Sequence, residues 1–290
     1  MIRSVVERRE QLRAWARHDA DTYTAFMETV RHVTGSPVKK LRALDLGCGS
    51  NAPMTLLLHA GGCRVTGVDA RLGHRWGLGF RPRRYAQYLR EAGAAKTLRK
   101  AAGELVFDRV YYRTLAEATG LRLSEEGLDL RPMDVQNPTL PVGEFDVVHS
   151  NATWEHIPDV PAANRTLAHS LKPGGIAYIE IHLFPSLSGG HDLPWIVPGR
   201  TVMGDVRPWG HLRDPDWKQP VYINRLRERD YRKAFEETEG LRIVDWKTEY
   251  TEGHELLTDA IRRELPDFDD SELTKRSIIV VVQKAHDVRG

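Results

Sequence analysis

Three histidines stand where a base could act. His156 lies in "WEHIPD", His182 in "IAYIEIHL" and His191 in "SGGHDLPW". An imidazole titrates near neutral pH, so it is the usual side chain for taking a proton from a hydroxyl. His156 reads equally as polar support and as a substrate contact. His182 and His191 flank "SLSGG", read as a flexible stretch, and are better placed for substrate. His149 reads as packed within its strand. His182, His191 and Asp192 also offer nitrogen and oxygen to a metal. Hard cations favour several carboxylates, however, and no compact acidic trio stands beside these histidines, so no metal is expected.

A second group of residues points to a ligand rather than to a reaction. In "LDLGCGSN", residues 44–51, an apolar run ends in an acid and two glycines. Gly47 and Gly49 permit a tight turn and let a ligand lie against bare backbone, and the following helix start offers unpaired N–H groups. Asp69 closes the next apolar run at about one βαβ step, where a carboxylate can accept two ribose hydroxyls. Asp134 follows a third run, and "FDVVHSN" ends a fourth. Taken singly, Asp45 and Asp134 read as helix-capping residues. Three acids at successive strand ends read as a site. The loop lacks the third glycine of GxGxxG, which disfavours a nicotinamide cofactor. Cys48 reads as a small buried residue without an activating base, and Cys63 as core.

The elements that position these residues follow from hydrophobic period. Residues 5–33 predict a helix whose apolar face runs from Val5 through Leu12, Ala16, Phe26 and Val30. From Leu41, short apolar runs alternate with helical stretches, which predicts parallel strands joined by right-handed crossovers. A helix over 160–171 should stop at "KPGG". The chain then closes with a helix at 228–239, the strand "LRIVDWKTEY", a polar helical passage around 254–265 and the strand "SIIVVVQK". Two stretches break the rhythm, 71–120 and 183–227, both too long for simple connections and read as lid-like insertions.

Composition sets limits. With 290 residues, 41% hydrophobic, 28% charged and a net charge of +2, the chain is an ordinary soluble protein in make-up, not a bulk polyanion binder. Two cysteines without metal spacing fit a reducing cytoplasm, and the charged first 23 residues lack the apolar core of a secretory signal. "SIIVVV" is too short to span a bilayer as a helix. Between Arg71 and Arg113, eleven Arg and Lys face three acids. That excess reads equally as a solvated helix face and as a site for phosphate or carboxylate on a substrate.

"LDLGCGSN", "VTGVDA", "MDVQN", "FDVVHSNATWEHIPD" and "LKPGG", in this order, resemble the class I S-adenosylmethionine-dependent methyltransferases, in particular the small-molecule group called methyltransferase type 11. The resemblance covers roughly residues 41–182 without the first insertion. It implies an α/β fold: a Rossmann-like, seven-stranded, mostly parallel sheet with an antiparallel edge hairpin and helices on both faces. A helical cap over 1–40 would precede a catalytic domain over 41–290, with the insertions at 71–120 and 183–227. It further implies that Asp45, Gly47, Cys48 and Gly49 border the methionine end of S-adenosylmethionine. Asp69 and Ala70 would lie at the ribose, Asp134 at the adenine amino group with Val135 packing nearby, and Asn151 beside the sulfonium. The expected activity is methylation of a small molecule such as a sugar, a lipid-linked glycan or a secondary metabolite, at oxygen rather than at nitrogen or carbon. Two alternatives stand beside it: a nucleic-acid methyltransferase, which "SNAT" in place of an NPPY-like tetrapeptide disfavours, and a protein that binds the cofactor without catalysis.

Overall fold

The computed structural model describes residues 2–35, 41–49, 51–70, 72, 86, 89–90, 93–192, 195, 207–219 and 221–286, without the side chains of 2–5, 7, 99–100 and 102–108. The expected roles of the arginines between Arg71 and Arg84, and of Trp76, fall outside the described residues. The described elements are α1 (Ile2–Thr34), β1 (Arg42–Leu46), α2 (Pro53–Ala60), β2 (Arg64–Asp69), α3 (Ala94–Thr119), β3 (Asp129–Pro132), β4 (Phe145–Asn151), α4 (Val160–Ser170), β5 (Leu171–His182), α5 (Gly210–Arg213), α6 (Glu228–Glu236), β6 (Leu241–Thr251), α7 (Asp259–Glu264), α8 (Asp270–Thr274) and β7 (Lys275–Lys284). Short 3-10 turns cover Trp154–His156 and His254–Leu256. The strands form one seven-stranded sheet in the order β3-β2-β1-β4-β5-β7-β6. β1, β2 and β3 pair in parallel, whereas β7 runs antiparallel between β5 and β6. This is the mostly parallel sheet with a reversed edge hairpin that the sequence implies. Among the described residues, no helix is long and apolar enough to cross a membrane.

The chain divides into two compact units, residues 1–134 with 145–147, and residues 135–144 with 148–290. In the first, β1 is buried from Ala43 to Leu46, as a parallel strand covered on both faces should be. Ala16 and Ala20 of α1, Leu56 and Leu57 of α2, and Tyr111, Tyr112 and Leu115 of α3 form one apolar cluster, so the amino-terminal helix is held by core packing. Gly67 in β2 makes room for α2. A Cβ there would lie 2.5 Å from Leu130 Cδ2 and 2.7 Å from Thr55 Oγ1, closer than any side chain can approach.

In the second unit β7 is buried from Ser277 to Val282, while β6 alternates exposed and half-buried residues along the sheet edge. Charged side chains on such an edge discourage pairing with other chains. α4 opens with the Asp159 carboxylate accepting the Ala162 N–H at 2.8 Å, a cap that satisfies an otherwise unpaired donor. Its end differs from expectation. The helix stops because Leu171 turns extended and enters β5 directly, so the "KPGG" residues begin the strand rather than cap the helix. The five-residue α8 was missed, since a single turn carries too little period to be read. Leu187, Trp209, Leu257, Ile261, Leu265 and Leu273 form a second apolar cluster. The fully buried Trp209 donates its indole N–H to the Leu273 carbonyl at 2.9 Å.

Candidate functional site

In the first unit, the turn after β1 is tied to the end of β2. The Gly47 and Cys48 N–H groups donate to the Val68 carbonyl at 2.8 and 3.1 Å, and the Gly49 N–H donates to Asp69 Oδ2 at 3.0 Å. Gly47 and Gly49 take φ values of +71° and +65°, the left-handed region where glycine is at no disadvantage. A Cβ on Gly49 would meet nothing within 4 Å, so its side faces open space. Asp45, 2% exposed, accepts the Thr55 hydroxyl at 2.6 Å and so joins the strand end to α2. The Tyr112 hydroxyl reaches the Asn51 carbonyl at 3.1 Å, linking α3 to the same turn. Cys48 is buried, Asp134 and Ala70 are exposed, and Cys48 and Cys63 form no disulfide. In the second unit, the Val135 carbonyl accepts from the Thr166 hydroxyl at 2.6 Å, and the Asn151 carbonyl accepts from Thr153 at 3.0 Å.

The second unit brings the three predicted histidines together. The His191 ring lies 4.8 Å from that of His182, nearly parallel, and 4.8 Å from that of His156, edge to face. His149, by contrast, is buried and stacked on Tyr178 at 6.3 Å, as its strand position suggests. "SLSGG" is not the flexible stretch expected from its composition: residues 183–190 are all buried. The Ser186 N–H donates to the Leu183 carbonyl, Gly189 to Ser186, and His191 to Ser188, at 2.9–3.2 Å. This succession of tight turns carries His191 back onto His182. His191 itself has φ +59°, an uncommon backbone state that histidine tolerates better than most residues.

Proton bookkeeping orients the rings. His156 Nδ1 lies 2.7 Å from the Tyr222 carbonyl, which can only accept, so Nδ1 carries the proton and Nε2 the lone pair. Ser188 Oγ donates its one proton to Glu252 Oε1 at 2.7 Å, and the Ser188 N–H reaches the same oxygen at 2.8 Å. At 2.9 Å from His182 Nε2, that hydroxyl can then only accept, which puts the His182 proton on Nε2 and the lone pair on Nδ1.

Glu155 is the member that sequence reading missed. It is 1% exposed and no side chain hydrogen-bonds its carboxylate oxygens. Burial pushes its carboxyl up to about 8; the backbone groups of Glu155 and His182 oppose the shift and Glu180 adds to it. Burial holds His182 well below the usual imidazole range, with the His191 and Arg276 charges acting the same way. Burial, then His156 and Arg276, lowers His191 to about 4. Asp192, considered above beside His182 and His191, is instead turned to the Trp217 indole N–H at 3.1 Å. The signal in the sequence was the acid next to His156 in "WEHIPD". The turn carrying it is clamped by Asn224, whose amide donates to the Trp154 and Ile157 carbonyls at 2.8 and 3.0 Å.

His211 donates to the Phe184 carbonyl at 2.8 Å, and burial lowers it to about 4. The unfolded chain takes up this proton near pH 6.5, whereas the folded chain resists it until about pH 4. The stabilisation is therefore complete above pH 6.5 and is lost as pH falls toward 4, on the order of 3 kcal/mol. Urea midpoints measured from pH 7 to pH 4 should show this fall. His211→Gln, which keeps a donor and cannot titrate, should have a shallower slope; an identical slope would refute the assignment.

The family model for the methyltransferase domain matches residues 12–245. The chain belongs to that family, within the class I S-adenosylmethionine-dependent methyltransferases. Uncharacterized methyltransferases of Mycobacterium tuberculosis and Mycobacterium bovis are 33% identical to it over 98 residues, 32% of this chain and 48% of each relative. The chain thus spans about half the length of the curated relatives it matches. Among solved structures, an S-adenosylmethionine-dependent methyltransferase from Mesorhizobium loti is similar at 18% identity, over 89% of this chain and 96% of that one, with a TM-score of 0.47. Phosphoethanolamine N-methyltransferase 2 of Haemonchus contortus, in complex with S-adenosyl-L-methionine, is 13% identical over 92% of this chain and 53% of that one, with a TM-score of 0.48.

Proposed function

We propose that this protein transfers a methyl group from S-adenosylmethionine to a hydroxyl of a small-molecule acceptor, and that His156 takes the hydroxyl proton. The observation that carries the reading is the meeting of His156, His182 and His191 at the ends of β4 and β5, with His156 Nε2 left as a lone-pair atom by the Tyr222 carbonyl. Bound S-adenosylmethionine supplies an electrophilic methyl group on a sulfonium. The chain's own share is to hold the acceptor oxygen in line with that methyl and to receive its proton, which supplies much of the rate in a displacement of this kind. His182 and His191 stay neutral at pH 7 and line the acceptor side without repelling a cation. Phe184, His211 and Trp217 form an aromatic wall beside them, with the Arg225 guanidinium over Trp217 at 5.6 Å, which favours an acceptor with a flat or anionic part.

The cofactor side suits the group chemically. Backbone turned outward at Gly49, and acids at the ends of the strands, favour a ligand with an ammonium and a sulfonium over a phosphate. In this reading Asp45, Gly47, Cys48 and Gly49 border the methionine end, Asp69 and Ala70 the ribose, Asp134 and Val135 the adenine, and Asn151 the sulfonium. Residues 1–40 form a cap on a domain over 41–290, and the insertions at 71–120 and 183–227 shape the acceptor pocket.

Calorimetry with S-adenosylmethionine and S-adenosylhomocysteine tests the cofactor, and transfer of labelled methyl into a metabolite extract tests the reaction. Asp69→Ala should weaken binding about 10- to 100-fold, the scale of one or two hydrogen bonds to a charged group. Unchanged affinity would remove Asp69 from the ribose, and no heat of binding in the wild type would remove the whole reading.

A further inference from the structure

We propose that Glu155, His182 and His191 form a binding site for one divalent transition-metal ion of the zinc and iron(II) class. One ligand atom from each of the three lies within 4.8 Å of the others. Ligands placed tetrahedrally about such an ion, each about 2.1 Å away, stand about 3.4 Å apart, so side-chain rotation of about an ångström closes the set. Two imidazoles and one carboxylate suit zinc or iron(II); magnesium and calcium prefer oxygen alone.

A second observation points to the same ion. Glu155 is 1% exposed, and no side chain hydrogen-bonds either of its oxygens. A carboxyl buried without a side-chain partner either keeps its proton or meets a cation, and a bound metal ion takes the place of that proton. The surroundings are also those of metal ligands. The His182 Nε2–H is held by Ser188, itself held by Glu252, so the ring is fixed with its Nδ1 lone pair available. His191 is held by the turn from Ser188, and the close approach of Gly190 to His211 fixes the backbone before it: a Cβ on Gly190 would lie 2.5 Å from His211 Cβ. Three protein ligands leave coordination positions for an acceptor oxygen, as catalytic rather than structural sites do. Metal binding stands on this geometry alone. Its role in transfer rests on the function proposed above: the ion polarises the acceptor hydroxyl, and the proton passes to His156.

The test uses the whole chain, stripped with a chelator and dialysed, then titrated with Zn2+ in one series and Co2+ in another, with Mg2+ as control. One Zn2+ should bind per chain, Co2+ should give the visible bands of a low-coordinate nitrogen and oxygen site, and Mg2+ in excess should not displace either. Glu155→Gln and His191→Ala should each weaken Zn2+ at least 100-fold and abolish the Co2+ bands. Ser188→Ala, which leaves all three ligands in place, should weaken Zn2+ about tenfold. Absence of bands in the unaltered protein, or bands that persist in both ligand variants, overturns the proposal, and the wild-type spectrum decides even if a variant misfolds. Calorimetry with S-adenosylmethionine on the same preparation separates the two readings. Cofactor binding without metal binding sinks this inference alone, and metal binding without cofactor binding sinks the proposed function alone.

Discussion

Gly189→Ala should destabilise the protein by about 3 kcal/mol or more and abolish the proposed methyl transfer. A Cβ at this position would lie 2.1 Å from the Phe184 carbonyl oxygen, 2.5 Å from the Leu183 oxygen and 2.6 Å from the Phe184 carbonyl carbon. All three are backbone atoms, so no side-chain rotation relieves the clash. The Ser186–Gly189 turn has to open, and with it goes the path that returns His191 to His182. Gly210→Ala is the matching control, because a Cβ there meets nothing within 4 Å. Denaturant midpoints and turnover of both variants, measured together, check the expectation. A Gly189→Ala protein as stable and active as Gly210→Ala would show that the turn is not built as described.

Asn224→Ala should lower turnover in the proposed transfer on the order of 100-fold while leaving S-adenosylmethionine affinity unchanged. The Asn224 amide holds the Trp154 and Ile157 carbonyls, its Oδ1 accepts the Tyr231 hydroxyl at 2.8 Å, and its backbone N–H donates to the Glu155 carbonyl at 2.8 Å. Truncation removes the partner of the Ile157 carbonyl, the Tyr231 hydroxyl and the Leu226 N–H, a stability cost of about 3 kcal/mol. The turn that presents Glu155 and His156 then loses its clamp, and a misplacement of about 1 Å at a reacting group is enough for a loss of that size. Trp154 holds the same turn from the other side, with its indole N–H on Asn164 Oδ1 at 2.9 Å and its ring 6.5 Å from that of Phe235. A variant that lost cofactor affinity along with turnover would mean that Asn224 acts on the fold as a whole rather than as a positioning residue.

The amino-acid sequence by itself determined the class of this protein. Apolar runs of strand length alternating with helical stretches, and glycines and acids at their ends, are local patterns that give the strands, and the family resemblance they carry implies the mostly parallel sheet with its reversed edge hairpin. Gly47 and Gly49 were legible as a turn because a left-handed backbone is a local demand, and Asp45 and Asp69 as acids closing apolar runs, although the Thr55 hydroxyl and the Gly49 N–H that they hold lie 10 and 20 residues away. Tertiary structure alone decided the histidine cluster. Glu155 showed in the sequence only as the acid next to His156, and it is folding that buries it within reach of His182 and His191. "SLSGG" read as flexible because glycine and serine favour loops, yet their small size is what lets the turn close in the interior. Asn224 lies 67 to 70 residues from the carbonyls it holds, and Glu252 64 from Ser188. Periodicity carries information over a few turns of chain, whereas these contacts are chosen by how distant segments pack, and that is why the fold was readable before its chemistry.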